Sequence, residues 1–310
     1  MTDPVLIALD WGTSSLRAYL LGQEGRILDS YSAAAGVVKL APGEFPEAFD
    51  AATGAWRARW PGLRAIACGM VGSNAGWVEA PYATCPASPD DLAARLIEVP
   101  GAGMLIVPGI AQHGEAADVM RGEETQIFGG LWMHPELRAR ARVVHPGTHS
   151  KWIDVEDGRI QRFNTYMTGE VYAVLREHSI LGRFAKDAPP PAEDVAQEAF
   201  ERGVQAVRRG GHLAPLLFSA RALVLTGQMR PEQALDYLSG LLIGEEFGYA
   251  LATGPRDLVL MGDLDLCARY RHAMELFGLP DIPIIDGADA ATNGLWHIAL
   301  LAGLHLEAPV

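Results

Sequence analysis

The stretch Ala8-Leu9-Asp10-Trp11-Gly12-Thr13-Ser14-Ser15 ends a short apolar run at a Gly-Thr turn, and Pro146-Gly147-Thr148-His149-Ser150 follows another such run later in the chain. Around the first turn, Val5–Asp10, Ser15–Leu21 and Ile27–Ser32 read as three strands, the last two separated by Gln23-Glu24-Gly25-Arg26. Around the second, Arg142–His145, Trp152–Val155 and Ile160–Thr165 repeat that order, with Glu156-Asp157-Gly158-Arg159 as the second turn. Gly12 maps to Gly147 at an offset of 135 residues, and Gly25-Arg26-Ile27 maps to Gly158-Arg159-Ile160 at 133. Gly-rich hairpins are common by chance. The shared order of turn, strand, turn and strand favours an internal repeat instead. It predicts two related lobes facing one cleft: an N-terminal lobe over 1–139 with the first turn, and a C-terminal lobe over 140–310 with the second, the last helix being free to pack between them.

Between the two copies, Glu44–Trp60, Ser88–Glu98 and Ala117–Leu131 have helical spacing, while Arg64–Cys68 and Met104–Val107 read as buried strands. After the second copy, helices are expected over Gly169–Glu177, Ala192–Arg209, Arg230–Leu251, Cys267–Phe277 and Ala290–Ala302, with strands at Leu258–Met261 and Ile282–Ile285. Strands alternating with helices define an α/β chain.

At 310 residues the chain exceeds what one core usually supports, which agrees with two domains. No apolar stretch is long and charge-free enough to span a bilayer, and the start of the chain lacks the basic and apolar regions of an export signal. Cys68, Cys85 and Cys267 are odd in number and have no metal-ligand spacing, so they read as thiols in a reducing, cytoplasmic setting. The net charge of −13 argues against a nucleic-acid partner, because phosphate backbones are bound by clustered Lys and Arg. A membrane partner is not expected either, and a homodimer is left open.

The chemistry is concentrated in a few segments. Asp10 stands at a strand end before Gly12, Thr13, Ser14 and Ser15, whose backbone N–H groups and hydroxyls suit phosphate oxygens, with Arg17 near enough to add a charge. Alone, such a turn is as well explained by Asp10 bonding its own backbone. The second copy, with Gly147, Thr148, His149 and Lys151, makes a two-sided grip on a triphosphate the better explanation, and Asp10 then serves Mg²⁺ directly or through water. No Walker loop or dinucleotide fingerprint is present, and Gly101-x-Gly103 is a plain turn. Around Asp118–Phe128, Arg121, Glu123 and Glu124 gather near one helix start. Capping and the helix dipole account for at least one of the acids. Transfer to an alcohol needs a base, a role for Glu123, and a substrate carboxylate needs a cation, a role for Arg121. Ser73 and Asn74 follow a buried strand as a polyol pocket would require, and Trp77 and Tyr82 could cover a sugar face or simply pack.

These segments resemble the actin-like sugar-kinase superfamily, and within it the 2-dehydro-3-deoxygalactonokinase family, over nearly the whole chain. The resemblance is carried by Ala8–Ser15, by Gly69-Met70 with Gly76-Trp77-Val78-Glu79-Ala80-Pro81-Tyr82, by Arg121-Gly122-Glu123-Glu124-Thr125-Gln126, by Pro146–Trp152 and by Thr168-Gly169-Glu170. It implies a two-lobed, ribonuclease H-like fold of duplicated mixed-sheet domains with a cleft. It also implies transfer of phosphate from ATP, with Mg²⁺, to the 6-hydroxyl of 2-dehydro-3-deoxy-D-galactonate in galactonate catabolism. The two phosphate elements would be Asp10–Ser15 and Pro146–Lys151, and the adenosine element Val259-Leu260-Met261-Gly262-Asp263 with Asp286-Gly287. Larger kinases of the superfamily use an Asp base shortly before the second phosphate element. This chain offers Glu123 or Glu124 there. Asp263 and Asp265 also depart from the small or apolar residues usual after Gly262. A kinase for another small sugar or sugar acid, and a non-catalytic ATP-binding regulator, are the competing readings.

Overall fold

The computed structural model describes residues 3–115, 117–186, 188–252, 257–279 and 281–304. Two compact units are found, one made of residues 1–141, 154–163 and 285–310, the other of 142–153 and 164–284.

In the first unit, a continuous apolar run makes β1 (Leu6–Trp11), buried everywhere except at half-buried Asp10, as befits a strand covered on both faces. β2 (Leu16–Leu21) and β3 (Ile27–Ala33) fold back antiparallel, setting Arg17 opposite Asp10. After α1 (Phe45–Arg59), β4 (Ala65–Cys68) returns parallel to β1 and ends with Cys68 beside Asp10. β5 (Tyr82–Thr84), α2 (Pro89–Ala93), β6 (Ile97–Val99) and β7 (Met104–Ile106) follow, and the large sheet runs β3-β2-β1-β4-β7-β6. β8 (Gly109–Gln112) and β9 (Asp118–Met120) join β5 in a small separate sheet, and α3 (Glu123–Met133) comes next. The core under the large sheet is aromatic: Trp77 stacks on Phe45 with centroids 6.3 Å apart and meets Trp11 and Phe49 edge-on.

A second sheet begins with β10 (Arg140–His145), β11 (Ser150–Glu156) and β12 (Arg159–Tyr166), of which residues 142–153 and 164–166 lie in the second unit, and these are followed there by α4 (Thr168–His178), α5 (Glu193–Arg208), α6 (Leu213–Leu217), α7 (Ser219–Leu225) and α8 (Ala234–Ala250). β13 (Leu258–Gly262), α9 (Leu264–Leu276) and β14 (Ile284–Asp286) complete a sheet of order β12-β11-β10-β13-β14. Its first strand of the meander stands third, with the next parallel strand beside it, just as β1 stands between β2 and β4. The repeat read from the two turns is thus a repeat of sheet topology. α8 is apolar nearly all round and buried, the expected pattern for a helix covered on every side.

Two expectations are corrected. The helix expected over Ser88–Glu98 is only the short α2, started by a reciprocal Ser88–Asp91 cap; residues 97–99 pair with β7 instead, because ladder pairing overrides weak helical spacing. The helix expected over Ala117–Leu131 splits into β9 and α3 at Gly122, whose φ of +108° is one that only glycine adopts freely. The last helix, α10 (Gly287–Leu301), groups with the first unit. It lies along α3 so closely that a Cβ at Gly129 would collide with the carbonyl of Ala290, and one at Gly294 with that of Thr125.

Candidate active site

In the first unit the Gly12 N–H donates to the Ser15 carbonyl at 3.0 Å, closing the turn, while the N–H groups of Val37 and Val38 hold the Gly12 and Thr13 carbonyls at 3.0 and 3.2 Å. Thr13 and Ser14 are exposed. Asp10 sits just behind them, its carboxylate 3.7 Å from the Arg17 guanidinium. Burial pushes the Asp10 carboxyl up, Arg17 pulls it down, and the nearby Glu123 charge adds to the upward shift. The structure therefore brings Asp10, Arg17 and Glu123 into one electrostatic neighbourhood.

The two acids at the start of α3 are sharply different. Glu124 is wholly buried, accepting the Gly122 N–H at 2.7 Å and the Thr125 hydroxyl at 2.9 Å. Burial, reinforced by the Glu123 charge, pushes its carboxyl up to about 8. It is mostly protonated at neutral pH, and its geometry is that of a helix-start cap. Glu123 is half-buried and accepts the Arg121 backbone N–H at 3.1 Å.

Arg121 is 9% exposed, donates from Nη2 to the Ala80 carbonyl at 2.7 Å, and lies 4.4 Å over the Tyr82 ring. Its Nε and Nη1, and the Ser73 hydroxyl, are buried without a hydrogen-bond partner among the described residues. A Cβ on Gly72 would meet Arg121 Nη1 at 3.1 Å, which places the guanidinium beside the residue preceding Ser73. Buried donors are rarely left unpaired, which sets this cluster apart from the ordinary core. Asn74 is exposed next to it. Tyr82 carries Arg121 on its face, and Trp77, expected to cover a sugar, is committed to the aromatic core.

In the second unit, Gly147, Thr148 and Thr168 border a cavity of about 550 Å³ with Asp263, Tyr172, Leu242 and Ile243 in its wall. Asp236, Ser239 and Arg269 add a polar cluster that the sequence reading missed, with Arg269 bonded to both partners at 2.9 and 3.1 Å. Asp263 caps α9 by accepting the Leu266 N–H at 3.0 Å, and Asp286 caps α10 through the Ala288 N–H at 2.7 Å. Gly262 has φ of +146° before that cap. Two expected phosphate contacts are otherwise engaged. Lys151 lies within β11, where the ladder directs it inward; it is 4% exposed and bonded to the Thr165 hydroxyl at 2.7 Å. His149 is paired with Glu170.

Neither Gly12 nor Gly147 has a left-handed φ, and an added Cβ would meet nothing nearer than 3.8 Å and 4.0 Å respectively. The fold does not require glycine at either turn. What a missing Cβ provides there is bare backbone for a ligand to approach.

Among the described residues no group of three or more His, Cys, Asp or Glu side chains is placed to hold a metal ion. Asp10 with Glu123 nearby fits the sparse protein contribution usual for Mg²⁺, which keeps waters and takes most other ligands from phosphates.

Two sheets of like strand order, each presenting an unobstructed glycine turn after its first strand, make up an actin-like fold. The likeness to component A of the (R)-2-hydroxyglutaryl-CoA dehydratase of Acidaminococcus fermentans, 11% identical with a TM-score of 0.50 and covering 96% of this chain and 98% of that one, is one of fold alone. The chain belongs to the 2-keto-3-deoxy-galactonokinase family, which it matches over residues 10–298. It is 36% identical over 297 residues to the 2-dehydro-3-deoxygalactonokinase of Escherichia coli (strain K12), covering 94% of this chain and 97% of that one. A crystal structure from Sinorhizobium meliloti, bearing the same activity as a provisional name, superposes with a TM-score of 0.85 at 34% identity, covering 95% of this chain and 98% of that one.

Proposed function

We infer that the protein transfers the γ-phosphate of ATP to the 6-hydroxyl of 2-dehydro-3-deoxy-D-galactonate, in galactonate catabolism in the cytoplasm. The observation that carries this reading is the pair of glycine turns, equivalent in two like sheets and glycine for no reason internal to the fold. Among the described residues no helix is long and apolar enough to cross a membrane, and this agrees with a small-molecule kinase.

The residues divide the work. In the first unit Gly12 to Ser15 with Arg17 suit phosphate oxygens; in the second Gly147 and Thr148 do, and the cavity they border with Asp263 suits the nucleoside. Mg²⁺, held by Asp10 through water, would neutralise charge on the transferred group. Arg121 attracts the substrate carboxylate by its charge, Ser73 and Asn74 bond the sugar-acid oxygens, and Tyr82 keeps the guanidinium in place. Glu123 accepts the proton of the 6-hydroxyl as that oxygen bonds to phosphorus and the bond to the ADP oxygen breaks. The burial of Glu124 supports Glu123 for this role.

The test is an ADP-coupled assay with Mg²⁺-ATP and 2-dehydro-3-deoxygalactonate, alongside its gluconate epimer and neutral sugars, with the product weighed by mass spectrometry. Preferred turnover of a 2-keto-3-deoxy aldonate, with one phosphate gained, is expected. No ADP from any of these acids overturns the reading.

A further inference from the structure

Glu246 lies in the apolar α8, is 3% exposed, and takes no part in the chemistry above. A carboxylate so far from water requires donors around it. Three converge, each from a different element. Trp152 Nε1 on β11 donates to Oε1 at 2.7 Å, while the Thr168 hydroxyl at the start of α4 and the Tyr270 hydroxyl on α9 donate to Oε2 at 2.5 and 2.8 Å.

With Glu246 ionised, the direction of the next bonds follows. Tyr270 has a single hydroxyl proton, and with that proton on Glu246 its oxygen can only accept from Ser150, 2.7 Å away. Ser150 thereby donates to Tyr270, and its lone pairs are left to face the Gly147 N–H at 3.4 Å. An ordered chain of hydrogen bonds runs from the buried acid to the glycine of the second turn. The other arm reaches the same place. Next to Thr168, the Gly169 backbone passes so close that a Cβ there would meet the Gly147 carbonyl at 2.5 Å and Thr148 Cα at 2.7 Å. The Glu170 N–H then donates to the Thr148 carbonyl at 2.9 Å, and the Glu170 side chain pairs with His149.

We propose that Glu246 is a positioning residue for nucleotide binding, orienting the Pro146–Ser150 turn through Tyr270 and Ser150 on one side and through Thr168 on the other. This rests on the reading of that turn as a phosphate element. Its function is pre-organisation: the turn is set before nucleotide arrives, so the cost of ordering it is not charged against binding. A network that served only folding would not favour one substrate over the other.

The deciding variant is E246Q, which keeps size and one acceptor but turns an NH₂ toward a group that donates. Y270F and S150A cut the relay further along and carry the test even if E246Q does not fold. Calorimetric titration with Mg²⁺-ADP, steady-state kinetics with both substrates varied, and thermal unfolding are measured on the full chain. The KM for ATP and the Kd for ADP are expected to rise about tenfold in each variant, the scale of one lost charge-assisted hydrogen bond. The KM for the sugar acid should stay within about twofold, and E246Q/Y270F should be no worse than its worse parent, because the two act in series. Unchanged ADP affinity in the variants, or equal rises in both KM values, overturns the proposal. Failure of the wild-type protein to bind ADP is a separate outcome, which brings down the phosphate-element reading itself.

Discussion

The turns at Gly12 and Gly147 share a place in like sheets and share the absence of any internal demand for glycine, yet the side chains behind them differ in kind. Behind the first stand half-exposed ionisable groups: Asp10, Arg17 at 3.7 Å from it, and Glu123 close enough to shift the Asp10 carboxyl. Behind the second stands a buried, fully bonded network of Ser150, Tyr270, Trp152, Thr168 and Glu246. Exposed acids can exchange protons and hold hydrated cations, whereas a buried and saturated acid can only fix geometry. The repeat thus reproduces a scaffold and a bare turn, and in the proposed function chemistry falls to one copy and grip to the other.

The largest effect should come from E123Q, which tests whether the first copy carries the chemistry. Loss of a positioned base should lower kcat by about 10²- to 10⁴-fold, with the Kd for ADP within twofold of wild type. If E124Q gives the larger loss, the assignment of buried and half-buried acids is reversed. Next is R121K, which replaces the guanidinium proposed to attract the substrate carboxylate. A rise of about 10- to 100-fold in sugar-acid KM, with ATP KM little changed, is expected from kinetics with one substrate saturating. Replacing Gly147 by Ala should raise ATP KM about tenfold while leaving the thermal midpoint within a few degrees, since the added methyl meets no protein atom within ordinary contact distance. G12A should behave likewise but also lower kcat, because that turn adjoins Asp10. Identical kinetic signatures for the two would erase the proposed division.

The smallest effect is on stability against pH. Folded Glu124 keeps its proton from the usual 4.5 up to about 8, while the unfolded chain releases it. The folded state binds more protons in that window, so stability falls as pH rises from about 4.5 to about 8. Urea unfolding of E124Q across that range should show a shallower fall. Part of the remaining slope comes from Glu246, whose carboxyl burial pushes up to about 7, and part from Asp10, also raised by burial; both have the same sign.

Much of the scaffold was legible because it is local. Apolar runs ended by Gly-Thr turns gave the strands of both meanders, and their offset gave the repeat. What could not be read was any assignment that depends on a distant neighbour. Trp77 beside small polar residues looks like a sugar cover until Phe45, Phe49 and Trp11 are seen around it. Lys151 beside a phosphate turn looks available until the ladder places it against Thr165. Glu246 offered one signal, an acid in an apolar helix, but its donors lie 94, 78 and 24 residues away in the chain.

The sequence by itself determined the α/β class, the two glycine turns and the short list of ionisable groups, because each follows from residue types within a few positions of one another. Tertiary structure alone decided which unit α10 joins, which of two adjacent acids is buried and neutral, and which side chains stand behind each turn. Those are set by burial and by partners remote in sequence, and desolvation is a property of the packed surroundings.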